Sequence, residues 1–297
     1  MDGIVNFCKP QNMTSHDAVG FMRRMTGIRR IGHTGTLDPM AQGVLPICIG
    51  KATRLIEYLE GDKWYSAVMK LGFESETQDI WGEDLHETDL PQMPSRQEVE
   101  DVLKSFEGSL TQRVPGFSAQ KYKGRKLYEY ARAGEEIPVK EKQVNIKKII
   151  VNEYDTVNKE VKFDIHCSKG TYIRTICKDA GNKLGTTAVM SYLLRTEASS
   201  LKIADSITKD ELEDAKSSSG NIDKYIQDAA QYLSLDSIIV SKGDATGFRS
   251  GLRIPAHCEK TKKYGVYFIN HKNEREFLGI GTGAGEHIQP KKVFLGE

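Results

Sequence analysis

Apolar positions set the first prediction. Behind a Thr14-Ser15 start that can cap a first turn, Ala18, Met22 and Met25 recur on one helical face, and Gly27 supplies the stop. From Arg29 to Pro39 no period holds, and Gly32, Gly35 and Pro39 mark a loop. Val44–Ile49 is an apolar strand candidate. In Lys63–Phe73 the alternation puts Tyr65, Ala67, Met69 and Leu71 on one face of a strand. Ser95-Arg96-Gln97-Glu98 has the form of a capping box. Val99, Val102, Leu103 and Phe106 follow at i, i+3, i+4 and i+7, so a helix is expected there. Asn145–Tyr154 and Glu160–Ser168 read as two strands joined by a turn near Asn158. After Lys169-Gly170, the set Ile173, Ile176, Cys177, Ala180 and Leu184 returns to helical spacing.

Helices and strands mix without a regular βα repeat, which favours an α+β sheet domain over a doubly wound one. Lys216–Asn221 is polar and is expected to be a loop between helices. The change of character falls near 234–238, dividing the chain into 1–235 and 236–297. Beyond Ile238 come short strands, at Gly265–Asn270, Glu276–Ile280 and Lys292–Leu295, broken by Gly and Pro and without a long helical pattern. That predicts a small β-barrel of about 60 residues.

Composition alters this picture little at first. The chain has 297 residues, 38% of them hydrophobic, and a net charge of +1 from 42 Lys+Arg against 41 Asp+Glu. Disorder is excluded, and no run approaches the ~20 apolar residues of a membrane span. Met1-Asp2-Gly3-Ile4 lacks the regions of a signal peptide, so a cytoplasmic protein is expected. The five cysteines, at 8, 48, 167, 177 and 258, are scattered and form no C-x-x-C pair. They read as reduced structural thiols rather than as disulfides or metal ligands.

The distribution of charge says more than its sum. Residues 1–56 hold seven bases and three acids, 74–107 two bases and eleven acids, and 113–148 ten bases and four acids. The last of these basic stretches interleaves its charges with aromatics in Lys121-Tyr122-Lys123-Gly124-Arg125-Lys126-Leu127-Tyr128. Residues 240–297 add ten bases against six acids. Either these are solvated faces or they line an anion-binding groove that the total conceals.

The densest candidate for chemistry is the block from Gly32 to Pro46, where Asp38 stands in a Gly-rich loop ahead of Pro39 and a strand. Asp38 is either a carboxylate presented to a cleft or an Asx-turn cap on local amides. In Ser168–Arg174, at a strand-to-helix junction, Arg174 lies near the helix start on nearly the same side as Thr171. It could pair with a carboxylate or phosphate, or be a surface arginine. His33-x-x-x-x-Asp38 formally fits an acyltransferase pattern. Gly279–Ala284 fits G-x-G-x-x-A but has only 13 residues after it, too few for a dinucleotide fold. No metal or nucleotide cofactor is indicated.

These segments, in order, resemble the TruB-type tRNA pseudouridine-55 synthases. The resemblance rests on Lys9-Pro10 with Thr14-Ser15, the Gly32–Pro46 block, Tyr65 followed by Leu71-Gly72 and Thr77-x-Asp79-x-x-Gly82, and Pro115-x-x-Ser118-Ala119-x-Lys121-Tyr122-x-Gly124. Leu127-Tyr128-Glu129-Tyr130-Ala131-Arg132-x-Gly134 and Cys167–Arg174 complete it, over residues 4 to about 200. The C-terminal piece resembles the PUA-type RNA-binding barrel of these enzymes. The resemblance implies a mixed or antiparallel sheet in the catalytic domain, a monomer needing no obligatory protein partner, and action on the T-stem-loop of tRNA. It also implies the residue roles. Asp38 matches the nucleophile, Tyr65 the tyrosine that stacks on the flipped uracil, and Arg174 the arginine paired with the aspartate. Tyr172 and Leu193 match residues of the uracil pocket, and His33 the histidine that fills the space left by the base. Lys9 belongs to a motif that is mainly structural, and Asp79 is a possible supporting residue. The family often has Arg-Arg after the pocket leucine. Here Leu193 is followed by Leu194-Arg195-Thr196, which leaves backbone contacts near that helix open.

The chemistry agrees with these roles. Exchanging a C–N for a C–C bond needs no redox change, so no flavin, nicotinamide or metal is expected. A paired arginine favours the ionised form of a nucleophilic carboxylate against the opposite pull of burial. A base stacked in RNA must be flipped out at a cost of a few kcal/mol, which stacking on an aromatic ring partly offsets. A non-catalytic RNA-binding or RNA-folding module is the competing expectation.

Overall fold

The computed structural model describes residues 2–59, 61–90, 92–136 and 140–294. The chain opens with β1 (Gly3–Lys9), followed by α1 (Ser15–Thr26), β2 (Ile31–His33) and β3 (Gln42–Ile49). α1 starts with a full capping box between Thr14 and Asp17 and stops at Gly27, whose φ of 73° is left-handed. A cap of this kind contributes about 1 kcal/mol. The stretch expected to be loop throughout contains β2, which pairs with the free edge of β3 from Ile31 opposite Ile49 to His33 opposite Ile47. Three residues are too few to carry a period.

β4 (Lys63–Leu71) buries Tyr65, Ala67, Met69 and Leu71, the face its alternation predicted. The acidic segment then forms the ribbon of β5 (Phe73–Glu74) and β6 (His86–Glu87), followed by α2 (Arg96–Lys104), which Ser95 and Glu98 cap reciprocally. Next come β7 (Gly108–Arg113), the ribbon of β8 (Lys121–Tyr122) and β9 (Arg125–Lys126), and α3 (Leu127–Arg132). β10 (Glu141–Asp155) and β11 (Glu160–Cys167) form the expected hairpin, and α4 (Ile173–Lys183) follows.

Leu193 and Arg195 lie not on a helix but on β12 (Ala188–Ala198), inserted between β3 and β4. After the short β13 (Leu201–Lys202), α5 runs over Lys209–Ser219. The expected loop at 216–221 is therefore mostly helix: Thr208 caps α5 and Gly220, φ 76°, ends it, so the serines continue a helix that tertiary contacts of Leu212 and Ala215 hold in place.

The large sheet runs β1-β3-β12-β4-β11-β10-β7. Its neighbours are antiparallel except β3 and β12, which are parallel. One core lies between its β4–β11–β12 face and helices α2 and α4. It holds Phe163, Ile165, Met190, Leu193, Val99, Leu103, Ile176 and Ala180, and it extends to Leu37, Met40 and Ala41 of the Asp38 loop. A second core packs α1 and α5 against β1 and β3.

A separate five-stranded sheet forms the C-terminal part. It contains β14 (Asp236–Val240), β15 (Ile254–Cys258), β16 (Lys263–Ile269), β17 (Arg275–Gly283) and β18 (Gly285–Val293), in the order β14-β16-β17-β18-β15. It curls around α6 (Lys242–Arg249), a short helix whose Ala245 and Phe248 enter its core and which the strand pattern did not reveal. The last expected strand ends at Leu295, which lies outside the described residues. Arg54 ties the two parts together by donating to the Val293 carbonyl at 2.7 Å, and Lys292 pairs with Glu57 at 3.0 Å.

Candidate active site

The Asp38 loop is fixed by the helix that precedes it. The buried Ser15 hydroxyl donates to the Leu37 carbonyl at 3.0 Å and accepts from the Leu37 amide at 2.8 Å. The Asn12 amide donates to the Pro39 carbonyl at 3.0 Å. With its backbone held at both sides, Asp38 presents its carboxylate to a cavity of about 480 Å³, a volume suited to a small organic group. Tyr65, Tyr172, Arg174, Met190 and Leu193 also line this cavity. Among the described residues no neighbouring amide binds the carboxylate, so Asp38 is not an Asx-turn cap.

Arg174 is 4% exposed in the first turn of α4. Its Nε lies 3.0 Å from Asp38 Oδ2 without aiming its hydrogen along a hydrogen bond, so the contact is a close ion pair. Its other nitrogens are fully aligned: Nη1 donates to the Thr77 carbonyl at 3.0 Å and Nη2 to the Phe117 carbonyl at 2.7 Å. Asp79 Oδ2 stands 4.0 Å from Nη1, while its Oδ1 accepts from the Thr77 hydroxyl and the Trp81 amide. Burial pushes the Asp79 carboxyl above its usual range, against the opposing pull of Arg174.

Tyr65 is both a core residue and a wall of the cavity. Burial raises its phenol to about 12, while the charge of the neighbouring Arg195 works in the opposite direction. Tyr172 is anchored through its backbone. Its amide donates to Gln112 Oε1 at 2.8 Å, its carbonyl accepts from Gln112 Nε2 at 3.0 Å, and burial raises its phenol.

Three named residues, Asp79, His33 and Lys9, stand apart from the cavity lining. His33 precedes Thr34, which does line the cavity. Its Nδ1 is buried without a partner, and burial lowers the imidazole's pKa, so the neutral form prevails. Lys9 is wholly buried, and its Nζ donates to the Pro10 and Met13 carbonyls at 2.8 and 2.6 Å. Burial lowers it to about 8 although Asp38 pulls the other way.

Sequence reasoning missed Arg195 and the lining lysines Lys63, Lys142 and Lys169. Of these three lysines only Lys142 falls in a segment counted as basic; Lys169 was carried by the Cys167–Arg174 block, and Lys63 by its place at the start of a strand alone. Near the cavity, where Ala119 and Gln120 line it, the β8–β9 ribbon and α3 carry Arg125 over the Tyr130 ring at 4.2 Å and Arg132 over Tyr128 at 5.5 Å. None of residues 83–101 lines the cavity. Among the described residues no group of three His, Cys, Asp or Glu could hold a metal ion, and no helix is long and apolar enough to cross a membrane.

Comparison with known proteins gives the family. Residues 23–173 match the TruB family pseudouridylate synthase N-terminal domain, and residues 174–237 the tRNA pseudouridylate synthase B C-terminal domain. The tRNA pseudouridine synthase B of Caldanaerobacter subterraneus subsp. tengcongensis is 37% identical over 295 residues, 99% of each chain. That of Alkaliphilus oremlandii is 48% identical over 214 residues, 72% of this chain and 70% of its own. Among solved structures, a Cbf5–Nop10–Gar1 complex gives a TM-score of 0.74 at 26% identity, covering 99% of this chain and 85% of that one. An H/ACA ribonucleoprotein bound to a substrate RNA containing 2′-deoxyuridine gives 0.75 at 23%, with the same coverage, and shares the fold. The chain belongs to the TruB family and is a pseudouridylate synthase acting on tRNA.

Proposed function

We propose that the protein isomerises uridine 55 in the T-loop of tRNA, with Asp38 as nucleophile, Arg174 holding it ionised and in place, and Tyr65 stacking on the flipped base. One observation carries this reading: the Asp38–Arg174 pair opens into a cavity walled by Tyr65, Tyr172 and Leu193. The N1–C1′ bond breaks, C5 bonds to C1′, the proton on C5 leaves to solvent and the freed N1 takes one up, so atoms balance and no redox partner is consumed. A carboxylate beside the base can attack C6 or C1′. A third route, through a glycal, needs a base to remove the C2′ proton. A phenol raised to about 12 is protonated at neutral pH and poorly matched to that task, which supports stacking as the role of Tyr65.

Tyr172 and Leu193 form the pocket around the uracil, and His33, one residue from the cavity, occupies the space in the RNA that the base leaves. Asp79 supports Arg174. Lys9 closes the turn into α1 and remains out of the chemistry. The basic and aromatic face of residues 121–132 receives the phosphates of the T-stem-loop, with the acidic segment 83–101 turned away. Residues 1–235 form the catalytic unit and 236–297 a PUA-like RNA-binding unit, a division supported by the start of β14 at Asp236. The enzyme works in the cytoplasm as a monomer without an obligatory protein partner or cofactor.

The test is tritium release from tRNA carrying 5-tritiated uridine. Release stoichiometric with one site per tRNA is expected. Binding without release would return the protein to the class of non-catalytic RNA-binding modules, and dependence on an acyl-thioester donor would point to the acyltransferase pattern instead.

A further inference from the structure

β12 lies between β3 and β4, and at one step of the ladder Arg195 stands opposite Gly43 on one side and Tyr65 on the other. Its side chain is wholly buried. Nε donates to the Val44 carbonyl at 2.6 Å, Nη2 to the Gly35 carbonyl at 3.2 Å and Nη1 to the Thr36 carbonyl at 3.4 Å. Across the ladder the Tyr65 side chain stands beside the same guanidinium, whose charge opposes the rise that burial gives the phenol. The strand is pressed into this position from behind. Gly43 has a φ of 108°, and a Cβ there would lie 2.3 Å from the Arg195 carbonyl oxygen, so glycine is needed for β12 to come this close.

A buried guanidinium is costly, and an apolar residue of similar volume is often as stable or more so. Arg195 is held by three carbonyls, and the charged neighbours within its reach include a second cation, Lys9, which it disfavours. Stability alone therefore gives a weak reason for it. It adjoins two parts of the site: its donors bind the loop that leads into Asp38, and its cross-strand neighbour is the ring that faces the incoming base. Displacing a reacting group by about 1 Å can cost on the order of 100-fold in rate, so a rigid link between the two has catalytic value.

We propose that Arg195 is a positioning residue that couples the Asp38 loop to Tyr65, keeping nucleophile and stacking ring at a fixed spacing while the uridine enters. The proposal rests on the roles given to Asp38 and Tyr65 above.

The experiment measures kcat and KM on unmodified tRNA for Arg195→Met, Arg195→Lys, Tyr65→Phe, the Arg195→Met/Tyr65→Phe and Arg195→Lys/Tyr65→Phe doubles, and Asp38→Asn, with thermal midpoints to verify folding. Arg195→Met should lower kcat about 100-fold with KM within about threefold, the signature of lost positioning rather than lost RNA binding. Arg195→Lys should recover about tenfold of that loss, because an ammonium keeps some of the carbonyl bonds but not the fork. Tyr65→Phe should cost about tenfold, and the Arg195→Met double should be no more than about threefold slower than Arg195→Met alone, since both changes cut the same link.

A folded Arg195→Met variant with kcat within threefold of wild type would overturn the proposal. So would a rise in KM alone, or losses that multiply in the double. If Arg195→Met does not fold, the same non-additivity is required of Arg195→Lys with Tyr65→Phe, and multiplicative losses there overturn it. Asp38→Asn separates the two levels: turnover by that variant would refute the catalytic reading itself, whereas an inactive Asp38→Asn beside an unaffected Arg195→Met would refute only the coupling.

Discussion

Two buried arginines hold the same site and are accommodated in opposite ways: Arg174 lines the cavity, and Arg195 lies behind it, bonded to the lining residues Gly35 and Thr36. Arg174 stands in the first turn of a helix, where the backbone dipole disfavours a cation, and two carboxylates, Asp38 and Asp79, offset that cost. Arg195 lies in the middle of a strand, away from any helix end, and the groups that receive its hydrogen bonds are neutral backbone carbonyls. The first seat is electrostatic and the second geometric. On the roles proposed above, the site separates two tasks: Arg174 manages the charge of the nucleophile, and Arg195 manages the distances around it.

The comparison breaks most visibly at Arg174. Arg174→Lys should lower single-turnover rates by about 100-fold or more, because an ammonium cannot hold Asp38, Thr77 and Phe117 at once. Near wild-type turnover would mean that charge alone suffices at this seat. The milder change is Asp79→Asn, expected to cost about tenfold, the value of a single partly buried charge contact. Its pH behaviour is more telling. Since burial raises the Asp79 carboxyl, it protonates at higher pH than an ordinary aspartate and weakens the hold on Arg174 there. The acid limb of the kcat profile should therefore move to lower pH in Asp79→Asn, and an unmoved limb would remove Asp79 from the network.

Lys9 sharpens the contrast on the side of stability. Its folded-state pKa of about 8 lies below its ordinary 10.5, so between those values the unfolded chain holds a proton that the folded one lacks. Stability must then rise with pH through that window, by up to about 1.4 kcal/mol per pH unit from this group. Other groups, including Tyr65, titrate in the opposite sense at alkaline pH, so the comparison of wild type with Lys9→Met isolates the contribution. From pH 7 to 10 the wild-type denaturant midpoint should rise relative to that of Lys9→Met. Parallel curves would show that Lys9 stays fully protonated.

The elements with strong local signals were legible in the sequence. The capping boxes at Thr14 and Ser95 and the alternation from Tyr65 to Leu71 lie where the pattern placed them. So does the Asp38–Arg174 pair, although its two members are far apart in the chain and only the resemblance joined them beforehand. β12 was not legible as a strand. Ala188–Ala198 is central in the sheet and packed on both faces, so its apolar residues run together instead of alternating. For the same reason Arg195 read as a departure from a motif, while its burial depends on carbonyls about 150 residues earlier in the chain. β2 and α6 are too short for any period and form because an open strand edge and a curled sheet receive them.

On the proposed mechanism the Asp38 carboxylate performs the isomerisation at one uridine. Pseudouridine is mapped by position in unmodified tRNA after incubation with wild type and with Asp38→Asn, while tRNA binding is measured in parallel. Pseudouridine at position 55 with wild type and none with Asp38→Asn is expected, at affinities within about tenfold of each other, because phosphate contacts dominate binding. Pseudouridine formed by Asp38→Asn, or formed by wild type only at other positions, would contradict it.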